Sequence, residues 1–133
     1  MENLALLLRS MQFYAHQAHN LISGEYFFQD HAFLGEIYPV YESGYDDVVE
    51  RMIGLGNIPD IAMINKRASD MLESETEISC KDAFDLLLYY ETQLCDLITK
   101  LTPKSSVGTA QLIGDLANAS ESRQYKMKQR LKS

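Results

Sequence analysis

The chain has 133 residues, with 19 acids against 12 bases and a net charge of −7. That length makes a single domain, residues 1–133, large enough to bury a core without disulfide staples. The acidic balance disfavours sequence-independent nucleic-acid binding by the body of the fold and suits a surface that attracts cations.

Leu4, Leu7, Leu8, Met11, Ala15, Ala18 and Ile22 recur at gaps of three and four, which predicts an amphipathic first helix stopped near Ser23-Gly24. Its one apolar run, Leu4 to Leu8, is too short for a signal-peptide core or a membrane span, so the expected address is the cytoplasm. A second helix is expected from about Phe27 to Ile53, ended by Gly54 and Gly56. Gly54-Leu55-Gly56 lacks the preceding strand and third glycine of a dinucleotide fingerprint and reads as a helix stop. Pro39, inside this helix, cannot donate to the Gly35 carbonyl and predicts a kink rather than a break.

Residues 54 to 78 are the longest connection; Pro59 opens a short helix reaching about Leu72, and Glu73 to Glu77 read as a solvated acidic loop. Ser79 with Asp82 resembles a capping box ahead of a third long helix, whose stripe is Phe84, Leu87, Leu88, Leu94, Cys95, Ile98 and Leu101. Thr102 to Ser106 break it. A fourth long helix, about Val107 to Leu131, carries a weaker stripe of Ala110, Ile113, Ala117, Met127 and Leu131. No segment alternates for long enough to make a strand. The expected fold class is all-α, a four-helix bundle with a long crossover between the second and third long helices. Cys80 and Cys95 lie on one helix, fifteen residues apart, and cannot bond to each other within it. They read as free thiols in a reducing compartment.

Four residues stand out as metal ligands: His19 on the first helix, and His31, Asp46 and Glu50 on the second. An antiparallel hairpin about Gly24 brings His19 and His31 roughly level, and Asp46 and Glu50 share a helix face one turn apart. Taken singly, each has a plainer reading: a structural histidine, or a solvated carboxylate with Arg51 as partner. Together they offer mixed nitrogen and oxygen ligation without thiolate, which suits iron or another divalent transition metal over structural zinc. His31 and Asp46 are separated by roughly 22 Å of helix, far beyond the ~2 Å reach of a metal bond. A single centre therefore requires imidazoles from one chain and carboxylates from a symmetry mate. His16, one turn before His19, reads as a surface or interface histidine before an accessory ligand. Tyr38, Tyr41 and Tyr45 read as packing at a dimer interface before a redox relay.

The run His19-Asn20-Leu21-Ile22-Ser23-Gly24, then Phe28 and His31, then Asp46 to Glu50-Arg51, resembles the signature of the Dps mini-ferritins, the DNA-protection-during-starvation proteins. Gly108-Thr109-Ala110 extends the resemblance more weakly toward the last helix. The resemblance implies a ferritin-like four-helix subunit and a hollow homo-oligomer, a dodecamer. It also implies ferroxidase sites at two-fold interfaces, where His19, His31, Asp46 and Glu50 hold Fe²⁺ for oxidation by peroxide or, more slowly, dioxygen, with ferric mineral stored inside. A shell of the same kind with a weak or vestigial metal site is the alternative. This chain departs from the family at Asn20, where an aromatic residue is usual, and at Gly35, where an aspartate is common. Met1-Glu2-Asn3 offers no lysine-rich DNA-binding tail; Arg123, Lys126, Lys128, Arg130 and Lys132 make the C-terminus basic, so any DNA binding is expected to be weak and lost with salt.

Overall fold

The computed structural model describes residues 1–132. Helix α1 spans Glu2–Leu21, α2 Phe27–Gly54, α3 Ile61–Asp70, α4 Cys80–Leu101 and α5 Val107–Leu131. Helices α1 and α2 form one hairpin and α4 and α5 another, joined by the crossover that carries α3, which packs on α1.

The helix ends follow local chemistry. Helix α2 stops where Gly56 takes a positive φ of 88°, letting the Asn57 and Gly56 amides donate back to the Met52 and Ile53 carbonyls at 2.8 and 3.0 Å. Buried Pro59 lies just ahead of α3, whose cap is the Asp60 carboxylate, accepting from the Met63 amide at 3.0 Å. Ser79 caps α4 by accepting from the Asp82 amide at 3.0 Å, and Ser106 caps α5 by accepting from the Thr109 amide at 3.2 Å. The acidic loop from Glu73 to Glu77 is exposed throughout. Helix α2 is unbroken across Pro39, which lies on its exposed face.

One pairing was not expected from periodicity. Two-residue strands β1 (Ile22–Ser23) and β2 (Ile78–Ser79) pair in parallel, with Ile22 opposite Ile78. Two residues are too few to show a period of two. The bridge exists because the crossover returns the start of α4 to the end of α1, and it pins that corner of the bundle.

The core takes Leu4, Leu8, Met11, Ala15 and Ala18 from α1, Leu34, Ile37, Tyr41 and Val48 from α2, Phe84, Leu87, Leu94 and Ile98 from α4, and Ile113 and Met127 from α5. Its centre explains why the α5 stripe is weak. Ser120, Arg123 and Gln124 occupy inward positions there and engage Glu91, a fully buried acid at the one non-apolar position of the α4 stripe. Arg123 grips the Glu91 carboxylate at 2.5 and 3.0 Å, and the Tyr41 hydroxyl donates to it at 2.8 Å. Burial first, then the Glu91 charge, holds the Tyr41 phenol well above its ordinary range, so it stays a donor.

Both cysteines are free thiols, and Cys80 is buried with its Sγ 3.4 Å from the Ser23 carbonyl. Burial, then the neighbouring Asp30 carboxylate, pushes its thiol up to about 11. Since the thiolate is the nucleophile, native protein at pH 8 is expected to leave Cys80 unmodified by iodoacetamide, with labelling appearing only in denaturant. Peptide mass mapping of the two samples checks this; rapid native labelling of Cys80 would contradict its burial.

Candidate metal centre

His19 and His31 meet at the turn end of the α1–α2 hairpin, beside the connection between the two helices. Their rings stack with centroids 3.9 Å apart and planes 15° from parallel. Each is bonded to the other's backbone: His19 Nδ1 lies 2.8 Å from the His31 carbonyl, and His31 Nδ1 lies 2.8 Å from the His19 carbonyl. A carbonyl only accepts, so each Nδ1 carries a proton, and the neutral form of such a ring has its Nε2 lone pair free. Such outer-shell bonds fix tautomer and ring orientation for metal binding. Because a ring-nitrogen lone pair lies in the ring plane, two nearly parallel rings 3.9 Å apart cannot both aim at one ion about 2 Å away. The pair therefore presents two separate nitrogen donors.

The surroundings hold this pair in place. The Phe27 ring stacks on His31 with centroids 4.9 Å apart. Asp30, the residue before His31, is buried and receives a bidentate grip from Arg130 of α5, with contacts of 2.7 to 3.2 Å. Arg130 in turn sits 4.1 Å over the Tyr26 ring, so the end of α5 anchors the first turn of α2. His16 is exposed and stacks face to face on Tyr38, with ring centroids 4.0 Å apart.

Asp46 and Glu50 lie elsewhere. Both are exposed on α2, four to five turns beyond His31, and among the described residues no cluster of three or more metal-binding side chains forms. Nor does any ion pair among the described residues engage either carboxylate. Arg51, the expected partner, turns to α5 and donates to the Thr109 hydroxyl at 3.3 Å. The imidazole pair and the carboxylate pair are thus well separated within one subunit.

The sequence profile of the ferritin-like domain matches residues 2–132. The chain belongs to the ferritin family. No curated protein matches the sequence of this ferritin. Its fold is shared with a CAIP from Helicobacter cinaedi, at 26% identity and a TM-score of 0.78 over 96% of this chain and 99% of that one. It is also shared with Dps92 from Deinococcus radiodurans, at 23% identity and a TM-score of 0.83 over 96% and 80% of the two chains. A Dps protein from Vibrio cholerae O1, described as a member of a broad superfamily of ferritin-like diiron-carboxylate proteins, matches at 22% identity and a TM-score of 0.70 over 98% and 85%. The all-α ferritin-like bundle with a short helix in its crossover is therefore the fold of the Dps mini-ferritins.

Two sequence expectations need correction. Arg123 and Arg130 do not belong to a basic C-terminal surface, because each is held in an ion pair with a buried carboxylate, Glu91 and Asp30. Lys126, Lys128 and Lys132 remain exposed. Tyr41 and Tyr45 pack inside the subunit instead of at an interface, Tyr41 on Glu91 and Tyr45 beneath the Arg9 guanidinium at 3.6 Å. Glu91 is absent from the expected α4 stripe, although an acid one turn from Leu87 and from Leu94 is a signal in the sequence. Among the described residues no helix is long and apolar enough to cross a membrane.

Proposed function

We propose that this ferritin is a Dps-type iron-storage protein that oxidises Fe²⁺ at sites completed between two copies of the chain. In this reading, His19 and His31 of one subunit and Asp46 and Glu50 of its mate bind the Fe²⁺ substrate. The observation that carries it is the presence of two imidazoles oriented through Nδ1 and of two carboxylates, without an ion-pair partner among the described residues, that lie too far along α2 to reach them. A two-fold axis between copies brings one chain's nitrogens to the other's oxygens and creates two equivalent centres per dimer.

The chain's residues then have distinct tasks. Backbone carbonyls hold both imidazoles in the tautomer that binds metal, and Phe27 shields one face of His31. The carboxylates of Asp46 and Glu50, the latter as the more central one, neutralise the charge that grows as Fe²⁺ becomes Fe³⁺. Two Fe²⁺ each give up one electron; peroxide accepts both with two protons and leaves as water. Ferric ion then hydrolyses and accumulates inside a closed shell, for which we propose the dodecamer. Free thiols at Cys80 and Cys95 fit a reducing, cytoplasmic setting.

Aerobic Fe²⁺ oxidation, followed by ferric absorbance with and without peroxide, tests the proposal. The protein is expected to accelerate it over buffer, and His31→Ala to lower that rate at least about tenfold, the scale of losing a metal-site interaction. No acceleration, or none lost in His31→Ala, would leave the rival reading of a shell with a vestigial site. DNA binding has a thinner basis here, three exposed lysines near the end of α5 on a chain of net charge −7.

A further inference from the structure

A glycine inside a helix is disfavoured relative to alanine, because it fixes a freer backbone and exposes it to water. Helix α2 nevertheless has Gly35 one turn after His31. A Cβ at that position would lie 2.9 Å from Cε1 of the His19 ring, 3.3 Å from its Nδ1 and 3.8 Å from its Nε2. The nearest of these is well inside carbon–carbon contact distance. Two contacts hold the ring where it is. Its face is stacked on His31 at 3.9 Å, and its Nδ1 is tied to the His31 carbonyl at 2.8 Å. The other helix-interior glycines differ: a Cβ at Gly44 would have the flexible ends of Leu8 and Leu116 as its nearest neighbours, at 3.4 Å, and one at Gly114 on α5 would meet nothing within 4 Å among the described residues.

We infer that Gly35 is a positioning residue of the metal centre: its missing side chain is the slot that seats the His19 imidazole against His31. This rests on the reading of His19 and His31 as ligands. In this packing an alanine Cβ already meets the ring. The imidazole half of the centre therefore holds nitrogen donors at His19 and His31 and takes no oxygen donor from position 35.

The test is a double-mutant cycle on the assembled protein, with Gly35→Ala, His19→Ala and both together, and Gly114→Ala as control. Zn²⁺ is the probe, titrated calorimetrically, and melting temperature is measured alongside. Gly114→Ala is expected to leave Zn²⁺ affinity unchanged and to raise the melting temperature. Gly35→Ala should weaken Zn²⁺ binding at least about tenfold and fail to give that rise. With His19 already replaced by alanine, Gly35→Ala should leave Zn²⁺ binding as it was and raise the melting temperature as Gly114→Ala does. Wild-type affinity in Gly35→Ala, or an equal loss with and without the His19 ring, overturns the inference. If His19→Ala itself does not alter Zn²⁺ binding, the metal reading fails. The positioning role is then decided by the melting cycle and by a crystal structure of Gly35→Ala. A His19 ring still bonded to the His31 carbonyl in that structure overturns it.

Discussion

Two inactive chains, co-expressed, are expected to restore about one quarter of the wild-type metal centres. One chain carries His19→Ala and His31→Ala; the other carries Asp46→Ala and Glu50→Ala. Each alone should oxidise Fe²⁺ no faster than buffer. In a mixed dimer, the first chain's carboxylates face the second chain's imidazoles, so one centre is whole and the other lacks all four ligands. Random pairing makes about half of the dimers mixed, with one good centre of two in each. The reason lies in helix geometry: α2 is continuous from Phe27 to Gly54, so no flexing within it closes roughly 22 Å. Ferric absorbance together with the Zn²⁺ stoichiometry of the purified mixture reads the result. Silence from the mixture, alongside active wild type, would remove the shared site.

The second large effect concerns the bundle's centre. Arg123→Ala is expected to cost about 3–5 kcal/mol, because it strands the Glu91 carboxylate in the core without its charge partner. Breaking such a pair costs more than the pair contributes. Replacing the whole network by apolar groups, Tyr41→Phe with Glu91→Leu and Arg123→Leu, should therefore recover most of the loss, ending within about 2 kcal/mol of wild type. Urea denaturation of the three proteins at one subunit concentration measures both steps. An Arg123→Ala protein as stable as wild type would mean that water reaches Glu91 and that the core is less closed than its geometry indicates. The variants also separate stability from chemistry, since the network lies away from His19 and His31 and the triple replacement is expected to keep both half-sites.

The bundle was legible because its long helices are marked by apolar stripes that burial then uses almost unchanged, from Leu4 and Met11 through Leu87 and Ile98 to Ile113 and Met127. The helix stops and caps were equally local: Gly56, Ser79 and Ser106 act on amides within a few residues of themselves. Arg123 and Arg130 were misplaced for the opposite reason. Their partners, Glu91 and Asp30, are 32 and 100 residues away, and a long basic side chain looks the same in sequence whether it reaches solvent or a buried acid. The β1–β2 bridge was invisible because it is made by the path of the crossover, with no periodicity of its own.

The candidate site divides along the same line. Residue type and spacing named the four ligand candidates, and the rise per residue of any α-helix means that one centre built from all four would need two chains. Which ring nitrogen donates, what a side chain at position 35 would meet, and that Arg51 turns to Thr109 were decided only by packing. Those facts depend on contacts between helices at distances of 3 to 4 Å. Periodicity determines which face of a helix turns inward; it carries no record of what that face meets when it arrives.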